Sequence, residues 1–182
     1  MVRSQDVLLG VKLFLHGEQT YAKLSSALGL SVGEIHNAYD RIRQAEILTT
    51  VRGEDTISRK NLYRLLAYGI PSIFFAVRGP ILYGLPTAYS HPALQTLFED
   101  TGESLSFPVV WQTPQSSKNT FSHQDVRGES ISPLYPSVTE ASKIDSEFWE
   151  IMALVDVLRI GKTPSKNIAL KLLEKRILEK KE

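Results

Sequence analysis

The chain has 182 residues, 42% of them hydrophobic and 23% charged, the proportions of an ordinary globular protein of one domain or two small ones. Its 21 Lys and Arg offset 20 Asp and Glu to a formal net charge of +1, which excludes a histone-like polycation or an acidic tail protein but leaves room for a local basic face. The absence of cysteine excludes disulfides, Cys-bound zinc, iron–sulfur clusters and thiol catalysis.

The periodicity predicts a first helix from Ser4 to His16, with Val7, Leu8, Val11 and Leu15 on one apolar stripe and Gly17 as its stop. Thr20 is placed to cap a short second helix, Tyr21 to Leu28, and Gly29-Leu30 forms a turn. Ser31 with Glu34 has capping-box spacing and opens a third helix that runs through Ile35, Ala38 and Ile42 to about Ala45. Residues 46–51 read as a strand, Gly53-Glu54-Asp55 as the tip that turns it back to Thr56-Ile57, and Ser58 as the cap of a helix from Arg59 to Tyr68 closed by Gly69. Prolines then concentrate between Pro71 and Pro136, whereas residues 1–70 have none, so the middle reads as strands and loops between helical ends. Ser72 to Val77 and Phe107 to Trp111 are the candidate strands there, and the polar stretch Gln112 to Thr120 reads as a loop. Asp145 is placed to cap a helix reaching Ile160, striped with Phe148, Ile151, Met152, Val155 and Leu158; Gly161 ends it, and Thr163-Pro164 starts a last helix to about Lys180. The expected fold is α+β: a winged helix-turn-helix at 1–70, a strand- and loop-rich region at 71–140, and two helices at 141–182 that could serve as a dimer handle.

Residues 21–38 resemble a helix-turn-helix: Ser25 is small four positions before Gly29, Leu30 follows as an apolar plug, and Ile35 and Ala38 face inward. The next segment, Arg41 to Leu48, resembles the recognition-helix end and first wing strand of winged-helix regulators, MarR-like ones among them. The phrases at 78–89, 126–128, 133–138 and 153–161 look like those of a bacterial group labelled winged-helix or MarR-like, so the likeness extends to about Leu173. The proline-rich middle departs from true MarR proteins, which are mostly helical outside the wing. The resemblance implies a sequence-specific DNA-binding transcriptional regulator acting as a homodimer on duplex DNA, and supplies neither operator nor small-molecule effector.

The residues left outward on the third helix fit that role. Ser31, Val32, Gly33, His36 and Asn37 lie at its N-terminal end, the part that reaches base edges in such docking, and Asn to adenine is a favoured pairing. Lys23, Arg41, Arg43 and Arg52 are candidate phosphate contacts. Glu34, Asp40 and the acidic pair after Gly53 weaken the local field, which keeps open an interaction module without DNA binding, such as an antitoxin-like or complex-assembly subunit.

Nothing points to an enzyme. His16, His91 and His123 have no ligand neighbours at i+3 or i+4, His36 has only Asp40 there, and there is no phosphate loop, dinucleotide fingerprint or nucleophile elbow, so no metal or cofactor is expected. Glu99, Asp100 and Glu103 read as a solvated turn, and Asp156 with Arg159 as an ion pair. Tyr83, Tyr89, Phe98, Trp111 and Tyr135 either line a small-molecule pocket or fill a small core. No apolar run approaches the roughly 18–20 residues of a membrane span, and the start lacks a secretory pattern, so the expected location is cytoplasmic.

Overall fold

The computed structural model describes residues 1–101, 103, 107–112 and 122–179 and has a mixed α+β architecture. Three helices open it: α1 (Ser4–His16), α2 (Tyr21–Leu28) and α3 (Val32–Gln44). Their ends are set by local chemistry. The Thr20 hydroxyl accepts from the Lys23 amide, and Ser31 and Glu34 cap each other reciprocally. Gly29 takes the left-handed conformation (φ 60°, ψ 33°), and the amides of Gly29 and Leu30 both return to the Ser25 carbonyl. A strand hairpin follows, β1 (Leu48–Val51) paired antiparallel with β2 (Glu54–Ile57), Val51 opposite Glu54. Its turn is therefore the two residues Arg52-Gly53, both at positive φ (56° and 88°), the type I′ pattern that suits strand twist. The tip lies one residue earlier than Gly53-Glu54-Asp55, and Arg52 is on it.

The following helix does not stop at Gly69. α4 (Arg59–Arg64) widens into a π turn (Leu65–Gly69) and continues as α5 (Ile70–Ile73), with Gly69 itself in the right-handed helical region. Pro71 supplies the reason: it has no amide to give the preceding turn, and the wider i→i−5 register, as in Ile70 N–H to Leu65 C=O, carries the chain past that gap. Ser72 and Ile73 therefore belong to helical sequence, and the strand expected at 72–77 is displaced to β3 (Arg78–Gly84).

β3 is one edge of a three-stranded sheet of order β3-β5-β4, where β4 is Val109–Trp111 and β5 is Val126–Ile131. β3 and β5 are antiparallel with a register shift between Arg78 and Ile81, where Gly79-Pro80 falls; β4 and β5 are parallel. The sheet closes tightly around two glycines. A Cβ on Gly84 would lie 2.3 Å from the Trp111 carbonyl oxygen, and one on Gly128 would lie 2.2 Å from that of Pro108. Between the sheet strands lies the short α6 (Gln95–Phe98), and α7 (Val138–Lys143) leads to α8 (Ser146–Ile160) and α9 (Thr163–Leu178). The stretch expected as a polar loop lies outside the described residues except Gln112, as do the last three residues.

α8 is the axis of the molecule. Residues Ile151 to Leu158 are buried without interruption, so the helix is buried on every side and not along one stripe. One contiguous core joins α1, α2, α3 and α4 to the sheet and to α8 and α9, so all three regions distinguished in the sequence share it. Asp145 caps α8 through the Phe148 amide (3.1 Å) and also receives Lys12 Nζ of α1 (2.5 Å). At the far end the buried Asp156 accepts from Thr87 Oγ1 (2.8 Å), Trp111 Nε1 (2.5 Å) and Arg159 Nη1 (2.6 Å), and Arg159 goes on to the carbonyl of Phe74. Burial pushes the Asp156 carboxyl up, against the pull of Arg159 and the two neutral donors. The sequence-read ion pair is thus real, and it is a buried tie between helix, sheet and the end of α5.

Candidate nucleic-acid interface

The outward face of α3 is built by what its inward face buries. Ile35, Ala38, Tyr39 and Ile42 are in the core, which leaves Val32, Gly33, His36, Asn37, Asp40 and Gln44 in solvent along one side. Val32, at the first position of the helix, is 50% exposed. Ser31 is exposed, but its hydroxyl is engaged with Glu34 (2.7 Å), so it holds the helix start. The hydroxyl and amide of Ser31 hold the Glu34 carboxyl below its ordinary value, and the Tyr135 hydroxyl lies beside it. His36 packs edge-on to Tyr21 (6.0 Å between centroids) and lies 3.6 Å from Asp40. Asn37 is exposed without a side-chain partner among the described residues. Beneath them Tyr39 stacks on Tyr21 at 4.9 Å, and burial pushes its hydroxyl to about 12.

The basic residues separate into two kinds. Arg41 is not an outward phosphate contact: its Nε and Nη2 donate to the two oxygens of Asp6 (2.8 and 2.7 Å), a carboxylate with no exposed side-chain surface. The Asp6 hydrogen bonds raise the Arg41 pKa further, so the pair is a permanent charged clamp between α1 and α3. Sequence reading missed it, though a signal exists. Asp6 stands three residues before Leu9 and seven before Leu13, on the buried face of α1, and a buried acid needs a partner. Arg43 is half-exposed and paired with Asp55 (2.6 Å), which also accepts from Thr50 Oγ1 (2.8 Å) and so ties α3 to the hairpin. Lys23 and Arg52 are exposed and their side chains have no partner among the described residues.

The other candidates are scattered. Trp111 is wholly buried in the core, Tyr83 is half-exposed, and Tyr135 sits against α3, so the five aromatics do not line one pocket. Tyr89 and Phe98 share a shallow hollow of about 400 Å³ with Glu99, Glu103 and Pro108. Glu103 is no solvated turn residue: its carboxylate accepts from the Lys162 amide (2.6 Å) and Ser165 Oγ (3.0 Å) at the start of α9. A second pocket of about 330 Å³ lies between α1, α4, α8 and α9, bounded by Phe14, Arg59, Ile151 and Arg176. Its Arg59 covers the Phe14 ring at 5.2 Å and donates to the carbonyls of Ile177 and Glu179. Among the described residues no group of three or more His, Asp or Glu is placed to hold a metal, and no helix is long and apolar enough to cross a membrane. Compared with protein-family models, curated proteins and solved structures, the chain matches none of them.

Proposed function

We propose that residues 1–57 form a winged helix-turn-helix and that the chain is a duplex-DNA-binding regulator in which α3 enters the major groove and the β1–β2 tip follows the adjacent backbone. The observation that carries this reading is Arg52. A two-residue type I′ turn favours Asn or Gly at its first position, yet an arginine sits there at positive φ, exposed and with no side-chain partner among the described residues. Strain kept at an exposed cation is a mark of use outside the fold. The α2–α3 turn supports it, since its capped, left-handed geometry offers Gly33 and Asn37 at the exposed start of a helix.

With Arg41 and Arg43 occupied, the free cations are few. The winged-helix reading then carries phosphate contacts at Lys23 and Arg52 and base contacts at His36 and Asn37. Titration of bulk duplex DNA at several salt concentrations tests it. Binding is expected with a shallow slope of log K against log salt, about −2 per protomer for two neutralised phosphates at roughly −0.9 each. No binding at low salt overturns the reading. The occupied arginines and the half-exposed Val32 favour the second reading, a protein-binding α3 face, and absence of DNA binding would leave that one standing.

A further inference from the structure

We infer that the rim formed by residues 68–83 is a two-fold interface between two copies of this chain, with β3 lying antiparallel beside its symmetry mate. The apolar stripes of α8–α9 are taken up within the chain: α8 is buried on all sides, and Ala169, Leu173 and Ile177 of α9 face inward, which leaves α9 a largely polar outer face. Apolar exposure concentrates elsewhere. Tyr68, Ile73, Phe75, Val77, Ile81 and Tyr83 are each between 43% and 74% exposed within sixteen residues of chain. Three of these are aromatic rings, half to three-quarters exposed out of the roughly 150–250 Å² that each can bury, and with the three aliphatic side chains the rim offers on the order of 600–700 Å². That approaches the ~800 Å² per partner of a standard interface and exceeds the largest patch most monomers leave in water.

The backbone of β3 adds direction. It pairs with β5 along one edge, and no strand among the described residues takes the other. Such an edge is a template for a further strand. A strand meeting its own copy about a two-fold axis runs antiparallel and uses up both edges, so the assembly closes at two. The irregularity at Gly79-Pro80 limits the regular edge to Ile81–Gly84, and Pro80 has no amide to offer; long open-ended sheet growth is thereby blocked while a short closed pairing is not.

The experiment uses the lack of cysteine. Sedimentation of the intact protein at tens of micromolar should give a dimer, and Phe75→Glu or Ile81→Glu should give a monomer that keeps a cooperative melt and native near-ultraviolet circular dichroism, since both side chains are exposed, with only the concentration dependence of the melting temperature lost. Leu97→Glu, an equally exposed leucine away from the rim, should remain dimeric. Independently of any folding defect, Ile81→Cys or Tyr83→Cys should form a disulfide-linked dimer under mild oxidation, and Leu97→Cys should not. A monomeric intact protein, a dimer that survives both Glu substitutions, or no self-linking at either β3 position overturns the inference.

Discussion

At the scale of single residues, two arginines that look alike in the sequence have opposite roles. Arg41→Ala leaves the Asp6 carboxylate buried without its bidentate partner, an arrangement that costs about 3–5 kcal/mol for a buried pair broken on one side. Because Arg41 keeps some solvent contact, a loss toward the lower end is expected, read as a reduced denaturant midpoint, and Arg41 does not act as a phosphate contact. Arg52→Asn works the other way. Asparagine suits the left-handed turn position, so stability should rise by up to about 1 kcal/mol while the salt slope of DNA binding falls by about one. Stability and binding moving together in this variant would remove the argument from strain. Asp145 sets a pH dependence. Burial alone would raise its pKa, but the hydrogen bonds from Lys12, His16 and the Phe148 amide bring it below the ordinary carboxylate value. The folded pKa is thus lower than the unfolded one, so its contribution is complete above the unfolded value of about 3.9 and is lost as pH falls through the folded pKa. Asp145→Asn should flatten that acid limb in melts taken from pH 6 to 2, and it should lower stability at neutral pH by stranding Lys12, a buried ammonium.

At the scale of elements, the sheet depends on close backbone approach. Gly128→Ala would drive a Cβ into the Pro108 carbonyl, contact that real structures do not show, so β4 and β5 must separate. A drop in melting temperature with loss of amide protection in β4 is expected; an unchanged melt would mean that the strands do not pack as described. The helices α1, α2 and α3 and the caps at Thr20, Ser31 and Asp145 were legible because their signals are local: a stripe, a hydroxyl or carboxylate one residue before it, a glycine after it. β3 and β5 were not, because Gly79-Pro80 and Gly128 read as breakers when taken alone, and only the neighbouring strand explains them. Gly69 misled for a related reason. A glycine closes a helix when it turns left-handed, and whether it does so depends on Pro71 two residues later. Of the candidate interface, the exposed start of α3 was readable from spacing, while the pairing of Arg41 with a residue 35 positions earlier was not.

At the scale of the whole molecule, the sequence suggests separable parts and the structure has one core around α8. A chain ending at Ser142 would expose the apolar surfaces of α1, α5 and the sheet that α8 covers, and would lose the Asp145 and Asp156 ties. It is expected to show no cooperative thermal transition, measured by near-ultraviolet circular dichroism; a folded monomer of that length would contradict the central place of α8.

That central place also bears on how the protein is made. Synthesis delivers the N-terminus first, at roughly 5–20 residues per second, so α1 to α3 emerge many seconds before the helix that completes their core. During that interval Lys12 has no Asp145 beside it, and the inner faces of the first helices are wet. Arg59 binds carbonyls at Ile177 and Glu179, so α9 is fastened to α4 only once some 118 further residues have followed Arg59. The core of the first helices therefore stays incomplete until α8 and α9 are present, and their inner faces are open to water until then.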